Sequence, residues 1–221
     1  MKTLRQWIQI GEWKAMKIVT FAYDDDVQVG IISEDGKSVI PANKFENMYD
    51  LIQHAGFEEL LGIARVAMGA VPLEQVKILA PLTRPRNDII CLGINYKSHD
   101  EELPDEYVPE KIVQRQVPVY FSKRVDRAVD PDGIIDGHFN VVKELDYECE
   151  LAVIIGKEAK NVEEKDAGDY VFGYTIINDV TARDVQVAHK QWYFGKSLDT
   201  FAPMGPCIVT DWNLYGLSPL R

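Results

Sequence analysis

Residues 146–156 read DYECELAVIIG, and this stretch decides which folds the sequence can adopt. Its second half is continuously apolar, which is typical of a strand buried on both faces. Because side chains alternate between the faces of a strand, Glu148 and Glu150 share one face, with Asp146 in phase. Cys149 is predicted to point the other way, into the core. The sequence therefore places acidic groups side by side at one end of a buried strand.

These acidic side chains need a physical explanation. Like charges on one face repel each other, and burying them unpaired costs several kcal/mol each. A hard cation bound through carboxylate oxygens would offset that cost. The alternative is a strand end whose acids simply face water.

A second strand-like stretch favours the cation. Residues 171–180 read VFGYTIINDV, in which the strand-like run is followed by another acid, Asp179. If the two strands are neighbours, Asp179 can lie over the face that carries Glu148 and Glu150. Three carboxylates suit Mg²⁺, or Mn²⁺ as a substitute. The alternative for Asp179 is an Asx-turn or a helix cap.

Two further stretches carry groups that can move protons or bind anions. In GINYKSHDEE, His99 and Glu102 can touch across a helical turn, and a carboxylate beside an imidazole makes a general base. In QWYFGKSLDT, Lys196 can bind a carboxylate or stabilise a developing oxyanion. Arg183 and Gln186 can do similar work from the preceding segment.

Strand-like runs outnumber helical ones along the chain. KIVTFAY, VQVGII and KSVIPA precede a helical pattern over residues 46–69, which Gly56 interrupts. We predict a β-rich α+β fold. A linker rich in Pro and Arg begins at residue 80. The predicted regions are an N-terminal extension at 1–15, a small N-terminal domain at 16–80 and a catalytic domain at 81–221.

The charge balance restricts the class of partner. The 221 residues include 24 basic and 35 acidic side chains, a formal charge of −11. Such a field disfavours nucleic acid and anionic membrane surfaces, and no apolar run approaches transmembrane length. We therefore predict neither a nucleic-acid nor a membrane partner.

The three cysteines lie far apart, each in or beside an apolar run. Cys91, Cys149 and Cys207 are predicted to be buried, reduced and non-catalytic. This usage fits a cytoplasmic protein.

In this order, four stretches resemble the fumarylacetoacetate hydrolase family: LTRPRNDIICLGINYKSHDEE, LDYECELAVIIGK, DAGDYVFGYTIINDVTARDVQ and QWYFGKSLDTFAPMGP. The likeness covers roughly residues 80–210, with a looser match from about Met16. It implies a mixed β catalytic domain of that family's type, a small N-terminal domain and a homodimer. Family members continue past the strand that matches MGPCIVT. A chain ending at Arg221 is therefore expected to lack the C-terminal part of its catalytic domain.

The resemblance also implies a role for each matching residue. Glu148, Glu150 and Asp179 would bind a divalent metal, Mg²⁺ in the first place and Mn²⁺ or Ca²⁺ as alternatives. The catalytic residues implied are His99, Glu102 and Lys196. The residues implied to bind substrate are Asn95, Arg183, Gln186 and Lys196.

These roles predict a Mg²⁺-dependent hydrolase that cleaves a C–C bond of an acylpyruvate or related 1,3-diketo acid, as in aromatic catabolism. The metal would stabilise an enolate, His99 would activate water with help from Glu102, and Lys196 would stabilise negative charge. Oxaloacetate decarboxylation and dioate isomerisation or tautomerisation are alternatives at the same site. A metal-binding relic and a plain structural domain are the non-catalytic alternatives.

Overall fold

The computed structural model describes residues 15–93, 117–189 and 191–210, and every structural statement below refers to these ranges. The strands are β1 Lys17–Tyr23, β2 Asp26–Ile32, β3 Ser38–Pro41, β4 Val71–Pro72, β5 Lys77–Leu79, β6 Ile89–Gly93, β7 Val119–Lys123, β8 Leu145–Asp146, β9 Cys149–Ile155, β10 Val171–Asn178, β11 Thr181–Ala182 and β12 Ile208–Val209. The α-helices are α1 Met48–His54, α2 Phe57–Val66, α3 Arg183–Ala188 and α4 Trp192–Lys196. Two 3₁₀-helices span Leu73–Gln75 and Glu164–Tyr170. The chain is β-rich α+β, as predicted.

The largest element is an antiparallel sheet with the strand order β4-β3-β2-β1-β12-β10-β9, in which β5 also pairs with β1. A two-residue turn joins β1 to β2. Asp24 and Asp25 adopt positive φ angles of 48° and 65° there, a conformation that Asp tolerates in tight hairpins. Two smaller sheets pair β6 with β7 and β8 with β11.

The sheet crosses the predicted domain boundary. Strands β1 to β5 precede residue 80, whereas β9, β10 and β12 follow it, and β1 pairs directly with β12 through Lys17 and Val209. The division into domains stays a prediction.

The main apolar core lies where α1 and α2 pack on this sheet. The helical pattern breaks at Gly56, as predicted, and the Asn47 side chain caps α1 by accepting from two backbone N–H groups. Buried apolar residues of this core include Met16, Ile18, Ile31, Leu51, Leu60 and Ile208. No helix in the described part of the chain is both long and apolar enough to span a membrane.

Strand β9 differs from its prediction. It is an edge strand of the sheet, and Leu151, Val153 and Ile155 are exposed. Cys149 is exposed as well, so its predicted place in the core is wrong. The reason is that β9 pairs only with β10 within the described ranges, which leaves its other edge and outer face uncovered.

Candidate metal centre

The ends of β9 and β10 bring three acidic side chains together. The antiparallel pairing puts Asn178 opposite Cys149, and the next backbone contact is from Asp179 N to Glu148 O at 2.8 Å. One carboxylate oxygen from each of Glu148, Glu150 and Asp179 lies within 4.8 Å of the other two. Three converging oxygens can hold a single cation.

Asp179 faces cations and caps no helix. The N-cap of α3 is Ala182, and no side chain caps that helix. The Asp179 side chain is 1% exposed, with Oδ1 2.6 Å from Lys123 Nζ and Oδ2 2.7 Å from Lys196 Nζ. The contact at Oδ1 is an ion pair without the angles of a hydrogen bond. That oxygen keeps unused capacity to accept a bond or a metal.

Lys196 occupies the middle of the acidic group. It ends α4, which packs so closely on α3 that a Cβ on Gly195 would lie 2.7 Å from Gln186 N. Its ammonium donates to Glu148 Oε2 at 2.9 Å, Asp179 Oδ2 at 2.7 Å and Thr181 Oγ1 at 2.9 Å. The position after Gly195 thus puts Lys196 inside the site.

Arg183 lies on the far side of Glu148. Pairing of β8 with β11 puts Thr181 opposite Asp146, so that the Arg183 guanidinium donates to Asp146 Oδ2 from Nε and Nη2. It also contacts Glu148 Oε1, and its Nη1 donates to Gln186 Oε1 at 3.2 Å. In this arrangement Arg183 and Gln186 hold Glu148 in place.

Lys123 belongs to the site but was missed in the sequence. It ends β7, its side chain is 0% exposed, and its ammonium donates to the backbone oxygens of Val180 and Lys196. Burial lowers the pKa of Lys123, and the neighbouring Asp179 carboxylate partly offsets that effect. The available signal was weak, since a lysine that ends an apolar strand usually faces water.

The local field is negative. Burial, followed by the charges of Asp179 and Glu148, raises the pKa of Glu150 to about 7. Burial also raises the pKa of the nearby Cys91 thiol to about 12, so Cys91 is an unreactive buried thiol, in agreement with the prediction. A divalent cation would relieve the repulsion that raises the pKa of Glu150.

The donor set fits a hard cation. The three side chains offer carboxylate oxygens, and no cysteine or histidine among the described residues joins their group. Oxygen donors suit Mg²⁺, Mn²⁺ or Ca²⁺, whereas thiolate and imidazole would have favoured softer metals.

A cleft of about 920 Å³ reaches the same group. Glu150, Asp179 and Lys123 lie on its wall, together with apolar side chains of β6 and β9 such as Leu92 and Val153. Its volume lies within the range of ligand-binding clefts in proteins. The predicted residues Asn95, His99 and Glu102 lie outside the described ranges.

Comparisons with known proteins agree with the sequence resemblance. Residues 88–220 match the family model described as "Fumarylacetoacetate (FAA) hydrolase C-terminal". Oxaloacetate tautomerase YisK of Bacillus subtilis is 46% identical over 138 residues, 62% of this chain and 44% of the relative. The mitochondrial oxaloacetate tautomerase Fahd2a of Rattus norvegicus is 38% identical over 208 residues, 88% of this chain and 63% of the relative. The chain thus spans less than two thirds of either relative.

Solved structures give the same result for the fold. A fumarylacetoacetate hydrolase from psychrophilic Exiguobacterium antarcticum superposes with a TM-score of 0.66 at 32% identity, covering 88% of this chain and 66% of that one. A 5-carboxymethyl-2-hydroxymuconate delta-isomerase from Mycobacterium smegmatis gives a TM-score of 0.60 at 29% identity, covering 90% and 67%.

Proposed function

Since this chain belongs to the fumarylacetoacetate hydrolase family, we propose that it is a metal-dependent enzyme that interconverts the keto and enol forms of a small 2-oxo dicarboxylic acid of the oxaloacetate type. Two curated relatives named as oxaloacetate tautomerases support this choice over the other reactions. The sequence leaves tautomerisation open as an alternative, whereas C–C hydrolysis has only the family as support.

One observation carries the proposal: oxygens of Glu148, Glu150 and Asp179 converge within 4.8 Å, and the ammonium of Lys196 lies among them. These three acids would hold the divalent metal, with Mg²⁺ as the first choice. A bound divalent cation would supply Lewis-acid polarisation of a 2-oxo group and its neighbouring carboxylate. Tautomerisation needs that polarisation together with a group that carries a proton.

Substrate binding, the positioning of Glu148 and proton transfer would fall to the chain's own residues. Lys196 would bind a substrate carboxylate, because its flexible side chain reaches the centre of the site. Arg183, with Gln186 beside it, would hold Glu148 and reach the substrate only if it gave up part of that contact. His99, oriented by Glu102, would move the proton at the carbon next to the 2-oxo group, and Asn95 would contact the substrate.

The test follows the absorbance of freshly dissolved enol oxaloacetate as it decays to the keto form, with Mg²⁺, Mn²⁺ or a chelator present. We expect metal-dependent acceleration that Glu148→Ala lowers by about a hundredfold or more. Glu34→Ala, at an exposed turn far from the site, removes the same charge and should have no effect. Full acceleration with the chelator present would show that the reaction does not require a metal.

The same assay separates the rival reactions by product. Release of CO₂ from oxaloacetate would indicate decarboxylation, and release of pyruvate plus a second acid from an acylpyruvate would indicate hydrolysis. Stoichiometric metal binding without turnover of any of these substrates would support a metal-binding relic. The homodimer and the cytoplasmic location stay predictions.

A further inference from the structure

The ammonium of Lys196 occupies the position that a shared cation would take. It lies 2.9 Å from Glu148 Oε2 and 2.7 Å from Asp179 Oδ2, so it joins two of the three candidate metal ligands. Its third partner is the hydroxyl of Thr181. A metal that used these two oxygens would have to replace the ammonium there.

The two neighbouring cations contact the other oxygens of the same carboxylates. Arg183 contacts Glu148 Oε1, and Lys123 contacts Asp179 Oδ1. Each carboxylate therefore has one oxygen toward a peripheral cation and one oxygen toward Lys196. The two inner oxygens are the ones that share a single partner.

The three cations are not equally anchored. The Lys123 ammonium is completely buried and donates to two backbone carbonyls, and Arg183 is also bound by Asp146 and Gln186. Apart from the two candidate ligands, the Lys196 ammonium has only the Thr181 hydroxyl as a hydrogen-bond partner among the described residues. The Lys196 side chain is 3% exposed and its ammonium lies 5.1 Å from the centre of the Phe121 ring, so the charge would move within a buried pocket, through the rotatable bonds of its four-carbon stem. Of the three cations, Lys196 therefore has the fewest hydrogen bonds to groups other than the candidate metal ligands.

The charge count favours such an exchange. Four carboxylates, those of Asp146, Glu148, Glu150 and Asp179, face the three cations. No ion pair or hydrogen bond of Glu150 is found in the described part of the chain, so one negative charge is left over. A divalent cation in place of the Lys196 ammonium would balance the four acids.

We propose that Lys196 is the resident counter-ion of this site: its ammonium holds the position between Glu148 and Asp179 when metal is absent, and a divalent metal displaces it. The released ammonium then points at the carboxylate of the anionic substrate. This inference rests on the proposed metal site. It adds an order of binding, with metal before substrate, because Lys196 is free to contact the substrate only after the metal has bound. Metal binding and substrate binding are thereby coupled through one side chain.

The first experiment measures Mn²⁺ binding by calorimetry at pH about 8, on protein stripped with a chelator. Lys196→Met removes the competing charge and keeps the side-chain length, so its Mn²⁺ affinity should rise about tenfold or more. Lys165→Met removes the same charge from an exposed position next to Glu163 and should leave the affinity unchanged. An unchanged or weaker affinity in Lys196→Met overturns the exchange while leaving the metal site in place. Absence of Mn²⁺ binding in all three proteins overturns both.

A second measurement needs no variant and so does not depend on Lys196→Met folding. A crystal structure of the unmodified protein grown with Mn²⁺ should show Lys196 Nζ beyond hydrogen-bonding distance of at least one of Glu148 and Asp179. An ammonium that still donates to both carboxylates, with Mn²⁺ bound beside it, overturns the proposal.

Discussion

Two parts of this molecule are equally buried and differ completely in chemistry. Ile31 and Leu51, in the core beneath α1 and α2, are 0% exposed. Lys123, at the end of β7, and Asp179, directly after β10, are 0% and 1% exposed. The first region is stabilised by removing apolar surface from water, which depends on area far more than on particular partners. In the second, the buried Lys123 and Asp179 are stable because they pair with each other, and Asp179 also pairs with Lys196.

This difference separates stability from function. An apolar side chain of the core is stabilised by burial against any apolar neighbours, so it needs no particular partner. The charged region has a surplus of acid that the chain's own cations leave incompletely balanced, and an external cation can complete it. The apolar core can therefore stabilise the fold, while the charged region can bind an external cation.

The largest effect is expected from removing the acid that both lysines share. Asp179→Ala leaves Lys123 and Lys196 buried with less compensation, which should cost about 3–5 kcal/mol of unfolding free energy. It should also abolish Mn²⁺ binding. Denaturant unfolding and calorimetry measure the two effects, with Asp126→Ala, at an exposed carboxylate, as the control. A loss below about 1 kcal/mol would show that the charged region does not depend on this pairing.

A smaller effect is expected from pH, because it acts through one group. The pKa of Glu150 is about 7 without metal, so a proton and a cation compete for it. Since the deprotonated form binds metal, Mn²⁺ affinity should fall as the pH drops through 7, by up to about tenfold per pH unit below it. Glu150→Gln should bind Mn²⁺ weakly and with less dependence on pH. A native affinity that is constant between pH about 6 and about 8 would contradict this assignment.

The smallest effect is expected in the apolar core. Ile31→Val removes one buried methylene and should cost about 1 kcal/mol of unfolding free energy. Its Mn²⁺ affinity and the pH dependence of that affinity should match the native protein. A clear change in the Mn²⁺ affinity or in its pH dependence would show that packing in the apolar core affects the charged region.

The sequence predicted the local features of the site because those depend on periodicity. The two-residue repeat of a strand put Glu148 and Glu150 on one face, and the structure brings both to Asp179. It could not reveal Lys123, because a lysine that ends a strand faces water unless a distant segment covers it. The same limit explains Cys149, whose face of β9 is exposed rather than covered.

By itself, the sequence determined the β-rich α+β class, the first strands with the helical region after them, the break at Gly56 and the side of the strand on which the acids lie. It did so because propensity and side-chain alternation act within a few residues. Only the tertiary structure decided which charges meet. Lys123 ends β7 and Asp179 directly follows β10, two strands that are far apart in the chain, and their ion pair depends on how the segments pack. Whether Lys196 neutralises an acid or remains free for a substrate is decided at that same level, because its ammonium lies between Glu148, just before β9, and Asp179, just after β10.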